Sequence, residues 1–194
     1  MYETIWLKNY EVCGFESMRD AFKIIKGSKV MYTEFIEVLN IAKENIDFIS
    51  ERLEVSYETP LEVYSSYTKN QILLALDYMN ISSMRQGIAY IKEKDTDILL
   101  VTLNKAEKDY SPTTMYNDYS INERLFHWQS QSTTTPESIT GRRYMNKSRS
   151  GYVLLFVREF NKDKFGGTEN FTFLGKCSFV SSEGSKPMNI VWKL

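Results

Sequence analysis

The chain has 194 residues, 42% of them apolar and 14% aromatic, which suffices for one packed domain with an appendage and excludes a disordered segment. A formal net charge of −1 excludes a chain that holds polyanions by bulk charge alone. One histidine and two cysteines, Cys13 and Cys177, are too few for a zinc cluster or a disulfide framework, so free thiols, a reducing cytoplasm and no metal are expected.

The start, MYETIWLKNYE, lacks the basic and apolar pattern of a secretory leader. Nowhere does an apolar run reach the roughly 18 residues that a membrane helix needs. Charge is unevenly spread. Residues 1–60 carry 7 Lys/Arg against 11 Asp/Glu, and the remainder carries 17 against 14.

Helical spacing dominates the first third. Phe15, Met18, Phe22 and Ile25 lie on one face, and Gly27 punctuates. Phe35, Leu39, Ala42, Ile46, Ile49 and Leu53 then step by four and three, predicting a helix over about 31–54. Pro60 ends this acidic helical region, taken as 1–60 and suited to packing or coupling. A short helix follows, where Thr68 and Gln71 make a capping-box pattern ahead of Ile72, Leu73 and Leu76.

From about residue 85 the pattern becomes that of strands: GIAYIKEK, DILLVTLNK, LFHWQSQ, GYVLLFVREF, FTFLGKCSFV and MNIVWKL. Six such runs predict a curved, mostly antiparallel sheet or half-barrel over 61–194, giving an α+β chain. The break at about 105–124 is long for a structural connection and points to function.

Catalytic patterns are weak. Asp97 and the KEK of 92–94 stand in the wrong order for a metal-dependent nuclease. No nucleophile elbow accompanies His127, and no phosphate-cradling glycine loop is present. No catalytic residue and no cofactor are therefore assigned, although a hydrolase using His127 as base is a rival.

The stretch MYNDYS and then LFHWQSQ has the composition of a site that holds one extruded base. Aromatic faces replace the lost stacking, and polar groups read the base edge. Its candidates are Tyr116, Asp118 and Tyr119 on the loop, with Phe126, Trp128 and Gln129 on the strand. Alternation puts Phe126 and Trp128 on one face and His127 and Gln129 on the other, so only one set can line a pocket unless the strand bends. Arg142, Arg143, Lys147 and Arg149 follow as candidate contacts to DNA phosphates.

The run TDILLVTLNKAEKDYSPTTMYNDYSI, then LFHWQSQSTTTPES, TGRRY, VLLFVREF, FTFLG and GSKPMNIVWKL, resembles a bacterial domain found at the C-terminus of DEAD/DEAH-type helicases that carry a phospholipase-D-type nuclease. Type IV restriction enzymes of the SauUSI kind are the familiar members, and there this part serves as target-recognition domain. The resemblance implies a module that reads 5-methylcytosine in duplex DNA by base flipping. Its partners would be the helicase and nuclease parts of the same parent chain. It also implies a half-barrel of the SET-and-RING-associated, pseudouridine-synthase-associated (PUA-like) type. By order along the chain, Tyr116 and Asp118 would be the loop pair and Trp128 and Gln129 the strand pair. The glycine-rich stretch usual after that strand is replaced here by SQSTTTPES. A protein-interaction module that docks on a helicase body without reading bases is the alternative.

Overall fold

Two apolar runs, DILLV and VLLFV, set the architecture, because strands this continuously apolar need cover on both faces. The computed structural model describes residues 18–44, 50–78, 84, 87–104, 118–146 and 150–194. The chain divides into two units, Met1–Ile49 and Ser50–Leu194.

In the first unit, α1 (Met18–Gly27) and α2 (Lys29–Glu44) flank Ser28, whose carbonyl accepts the Tyr32 N–H at 2.9 Å. Phe22 and Phe35 meet edge to face with ring centres 6.1 Å apart. The predicted helix over 31–54 is not what forms. Helix α2 ends at Glu44, residues 45–49 lie outside the described residues, and Glu51–Arg52 is a strand, β1. Leu53 completes no helical stripe. It is buried in the second unit with Leu61, so residues 50–60 belong to the β-rich body and not to the helices.

That body adds β2 (Glu62–Val63), β3 (Ser66–Tyr67), α3 (Lys69–Ala75), β4 (Ile88–Ile91), β5 (Thr96–Thr102), β6 (Tyr119–Ser120), β7 (Leu125–Gln129), α4 (Ile139–Met145), β8 (Tyr152–Arg158), β9 (Phe171–Glu183) and β10 (Asn189–Lys193). The six expected strand runs all appear. The main sheet runs β4-β5-β8-β9-β10-β7-β6, with β3 also on β9, and it is not closed into a barrel. It is mostly antiparallel. The exception is the central pair β5–β8, which is parallel and is joined by a long crossover carrying β6, β7 and α4. Together with the helices α1 to α4 this makes a mixed α+β chain.

Both faces of β5 and β8 are covered. Ile98, Leu154 and Phe156 face α3, whose start is closed by the Thr68–Gln71 capping box and which buries Ile72 and Leu73. Phe156 and Phe173 stack there at 4.3 Å. Leu99, Val101, Leu155 and Val157 form a second cluster with Phe126, Trp128, Ile190, Trp192 and Tyr144 from β7, β10 and α4.

Strand β9 serves both clusters by changing phase. Phe156 pairs with Phe173, but Leu155 pairs with Gly175, so Leu174 is an extra residue. Hence Phe171 and Phe173 enter the first cluster, whereas Cys177, at the same parity, enters the second. Gly175 adopts φ of +101°, which a side-chain-bearing residue rarely takes. A second shift, between Val191 and Trp192 of β10, bends the β9–β10 ladder further.

Two outcomes follow from this phasing. Gly175→Ala should lower unfolding free energy in urea by about 1–3 kcal/mol, since its new Cβ meets only ordinary contacts and the penalty is conformational. Burial also pushes the Cys177 thiol well above its usual range. In a Cys13→Ser variant, a thiol reagent at pH 8 should therefore leave the folded chain unlabelled and label it on unfolding.

Candidate nucleic-acid interface

Strand β7 sorts the expected base-pocket residues by alternation. Phe126 is 1% exposed and Trp128 is 3% exposed. Trp128 meets Tyr144 edge to face at 5.3 Å and lies 6.3 Å from Trp192. Both rings, expected beside a base, are packed into the second cluster. The physical reason is the pairing of β7 with β10, which puts Phe126 and Trp128 on the same side as Trp192 and Ile190.

The other face of β7 gathers a different set. Tyr119 of β6 pairs with His127, and their rings stack at 4.6 Å with planes 15° apart. Tyr119 remains 45% exposed. Two residues further on, and on the same face, Gln129 donates from Nε2 to Asn189 Oδ1 at 2.8 Å, holding its amide in a fixed plane. Asp118 is buried, and its Oδ1 accepts the Gln129 backbone N–H at 2.9 Å. Its carboxylate thus ties the start of β6 to the end of β7. Tyr116, like the rest of 105–117, lies outside the described residues.

The four expected phosphate contacts also separate. Helix α4 starts at Ser138, whose Oγ accepts the Gly141 N–H at 3.0 Å. One turn on, Arg142 is exposed and Arg143 turns inward. Arg143 donates from Nε and Nη2 to the two oxygens of Asp97, both at 2.9 Å. Asp97 is fully buried in β5. The guanidinium also lies 3.8 Å over the Tyr90 ring, and the Tyr90 hydroxyl donates to Asp95 Oδ1 at 3.0 Å. Arg143, expected at a phosphate, is therefore held to the sheet through Asp97. Lys147 and Arg149 lie outside the described residues.

Beside Arg143, residues Asp95, Ile139, Arg142 and Asn146 border an open depression of about 370 Å³. Among the described residues no group of three or more His, Cys, Asp or Glu side chains is placed to hold a metal ion. Nor is any helix among them long and apolar enough to cross a membrane.

The sequence hint for the outer set was the alternation itself, which already grouped His127 with Gln129. The Arg143–Asp97 pair left none, since 46 residues separate its partners. Asp97→Asn should remove half of a buried bidentate pair and cost about 3–5 kcal/mol of stability in urea. Arg142→Ala, at an exposed position, should cost less than about 0.5 kcal/mol.

A search of curated proteins found no match for the chain. A family model described as a domain of unknown function, DUF3427, matches residues 61–194, which is more than two thirds of the sequence. The chain therefore belongs to the DUF3427 family.

Proposed function

We propose that this chain is a non-catalytic recognition module for double-stranded DNA, which reads a modified base, 5-methylcytosine first among the candidates, within an ATP-dependent restriction enzyme. The single observation that carries the reading is the exposed Tyr119 ring backed by His127, beside the fixed amides of Gln129 and Asn189. An extruded base needs an aromatic surface and oriented donors and acceptors for its edge. These side chains combine both on the face of β7 that the core does not use. The open, bent sheet suits the SET-and-RING-associated, PUA-like half-barrel that the resemblance implies. The family match, over residues 61–194, includes the runs on which that resemblance rests.

Tyr119 takes the stacking role first given to Trp128. Asp118 acts by holding β6 to β7, and Arg142 is a described cation open to a phosphate. The helicase and nuclease of the parent enzyme would supply ATP hydrolysis and cleavage, in the cytoplasm.

A second reading has its own observation. On α1 and α2, Ile24, Val30, Met31, Val38 and Ile41 are exposed apolar side chains, as a helical pair that docks on a helicase body would present.

Fluorescence anisotropy with a duplex carrying one 5-methylcytosine and the same duplex unmodified separates these readings. A base reader binds the modified duplex more tightly, and Tyr119→Ala weakens that binding about tenfold or more while the unfolding midpoint is retained. Equal affinity for both duplexes at moderate salt contradicts base reading and favours the docking module.

A further inference from the structure

The most exposed large apolar side chain of the described β-rich body is Phe165, at 85%. It stands at the tip of the connection between β8 and β9, far along the chain from Tyr119 and α4. A lone exposed apolar residue ordinarily carries no meaning. This one differs because the turn beneath it is built to hold it outward.

Asp163 Oδ1 accepts the backbone N–H groups of Phe165, at 2.8 Å, and Gly167, at 2.9 Å. The Asp163 N–H donates to Gly167 O at 2.9 Å, and the Gly166 N–H donates to Asp163 O at 3.1 Å. Gly166 provides the left-handed residue that the turn needs, with φ of +85°. Lys162 and Thr168 bridge just below.

The stem is fastened as well. Arg158 Nε donates to Thr102 Oγ1 at 2.9 Å, Nη1 donates to Glu169 O at 3.2 Å, and Nη2 bonds Asn161 Oδ1. Its guanidinium covers the Phe171 ring at 4.4 Å. The Phe160 N–H donates to Glu169 Oε2 at 2.6 Å. The hairpin is thus a short, internally bonded arm that ends in a phenyl ring.

Charge identifies what the arm suits. Lys162 and Lys164 both precede the tip, and the Lys164 ammonium lies 5.0 Å from the Phe165 ring centre. The acid between them, Asp163, commits an oxygen to two backbone N–H groups inside the turn. A planar ring with one ammonium beside it and a second lysine three residues earlier fits a nucleobase with neighbouring phosphates. A bilayer would ask for a broader apolar surface than one phenyl ring, with its cations set back from the tip.

We propose that the β8–β9 hairpin is a second DNA contact, in which Phe165 wedges against the base stack while Lys162 and Lys164 hold adjacent phosphates. The proposal rests on the DNA-binding reading above but not on recognition of any modification. Apolar wedges of this kind open a base step locally and lengthen the contact along the strand.

The test uses the full chain and an unmodified duplex. Phe165→Ala should weaken binding about tenfold. Phe165→Trp should restore it, and the new indole should be quenched by DNA against the unaltered chain as background. Lys162→Gln with Lys164→Gln should reduce the slope of log affinity against log salt by about 2. Unchanged affinity in Phe165→Ala, an added indole in Phe165→Trp that stays unquenched while DNA is bound, or tighter binding to vesicles containing phosphatidylserine than to DNA would each overturn the wedge. In the first two cases duplex binding itself, and with it the modified-base reading, still stands. Loss of methyl preference with a functioning wedge would remove the modified-base reading alone. No duplex binding by the unaltered chain would remove both.

Discussion

The extra residue in β9 is the constraint on which the rest of the body depends. Strand pairing alone would send Phe171, Phe173 and Cys177 to one face of the sheet. Inserting Leu174 opposite the Leu155–Phe156 step, with Gly175 at a positive φ, divides them between two faces. One strand can then carry Phe173 toward α3 and, four residues later, Cys177 toward Trp192 and Phe126. Because β10, β7 and β6 are attached through the downstream half of β9, this switch also decides which side of β7 is core.

That decision separates the buried side chains of β7 from the outer ones. Trp128 and Phe126 are surrounded by Tyr144, Trp192 and Ile190, and truncating rings so placed costs about 3–5 kcal/mol. A ring that carries such a load is poorly suited to release its contacts for a ligand. Tyr119 and His127, on the opposite face, stack on each other. Arg143 obeys the same logic among the cations. Its bidentate bond meets the buried Asp97 carboxylate in β5, and a phosphate could recruit it only by breaking both of those hydrogen bonds. Exposed Arg142, one residue earlier, carries no such obligation.

The strands were legible because each run alternates or is continuously apolar, and the Thr68–Gln71 box was legible because both of its members are local. Their arrangement was not. DILLV and VLLFV reveal that both faces are buried, yet nothing in either run states that they are neighbours or that they run parallel. Helix α4 shows in the sequence only as a basic stretch, since ITGRRYM has a glycine at its centre and little apolar spacing. The helical period predicts a stripe as far as Leu53. At Leu53 tertiary burial overrides the period, because this side chain joins the buried cluster that also holds Leu61 and Phe171. At β7, alternation divides the side chains into two sets, but which set is buried depends on the side that β10 and Trp192 occupy.

The central claim is that the outer face of β6 and β7, not its inner aromatic cluster, meets the base. Nuclear magnetic resonance titration of the isotope-labelled chain with a methylcytosine duplex tests it most directly. Base reading on that face predicts large shifts at Tyr119, His127 and Gln129, with the indole N–H signals of Trp128 and Trp192 held near their free positions, and smaller shifts from the unmodified duplex. Identical responses to the two duplexes, or a silent Tyr119–His127 pair while the Trp128 indole moves, would contradict it.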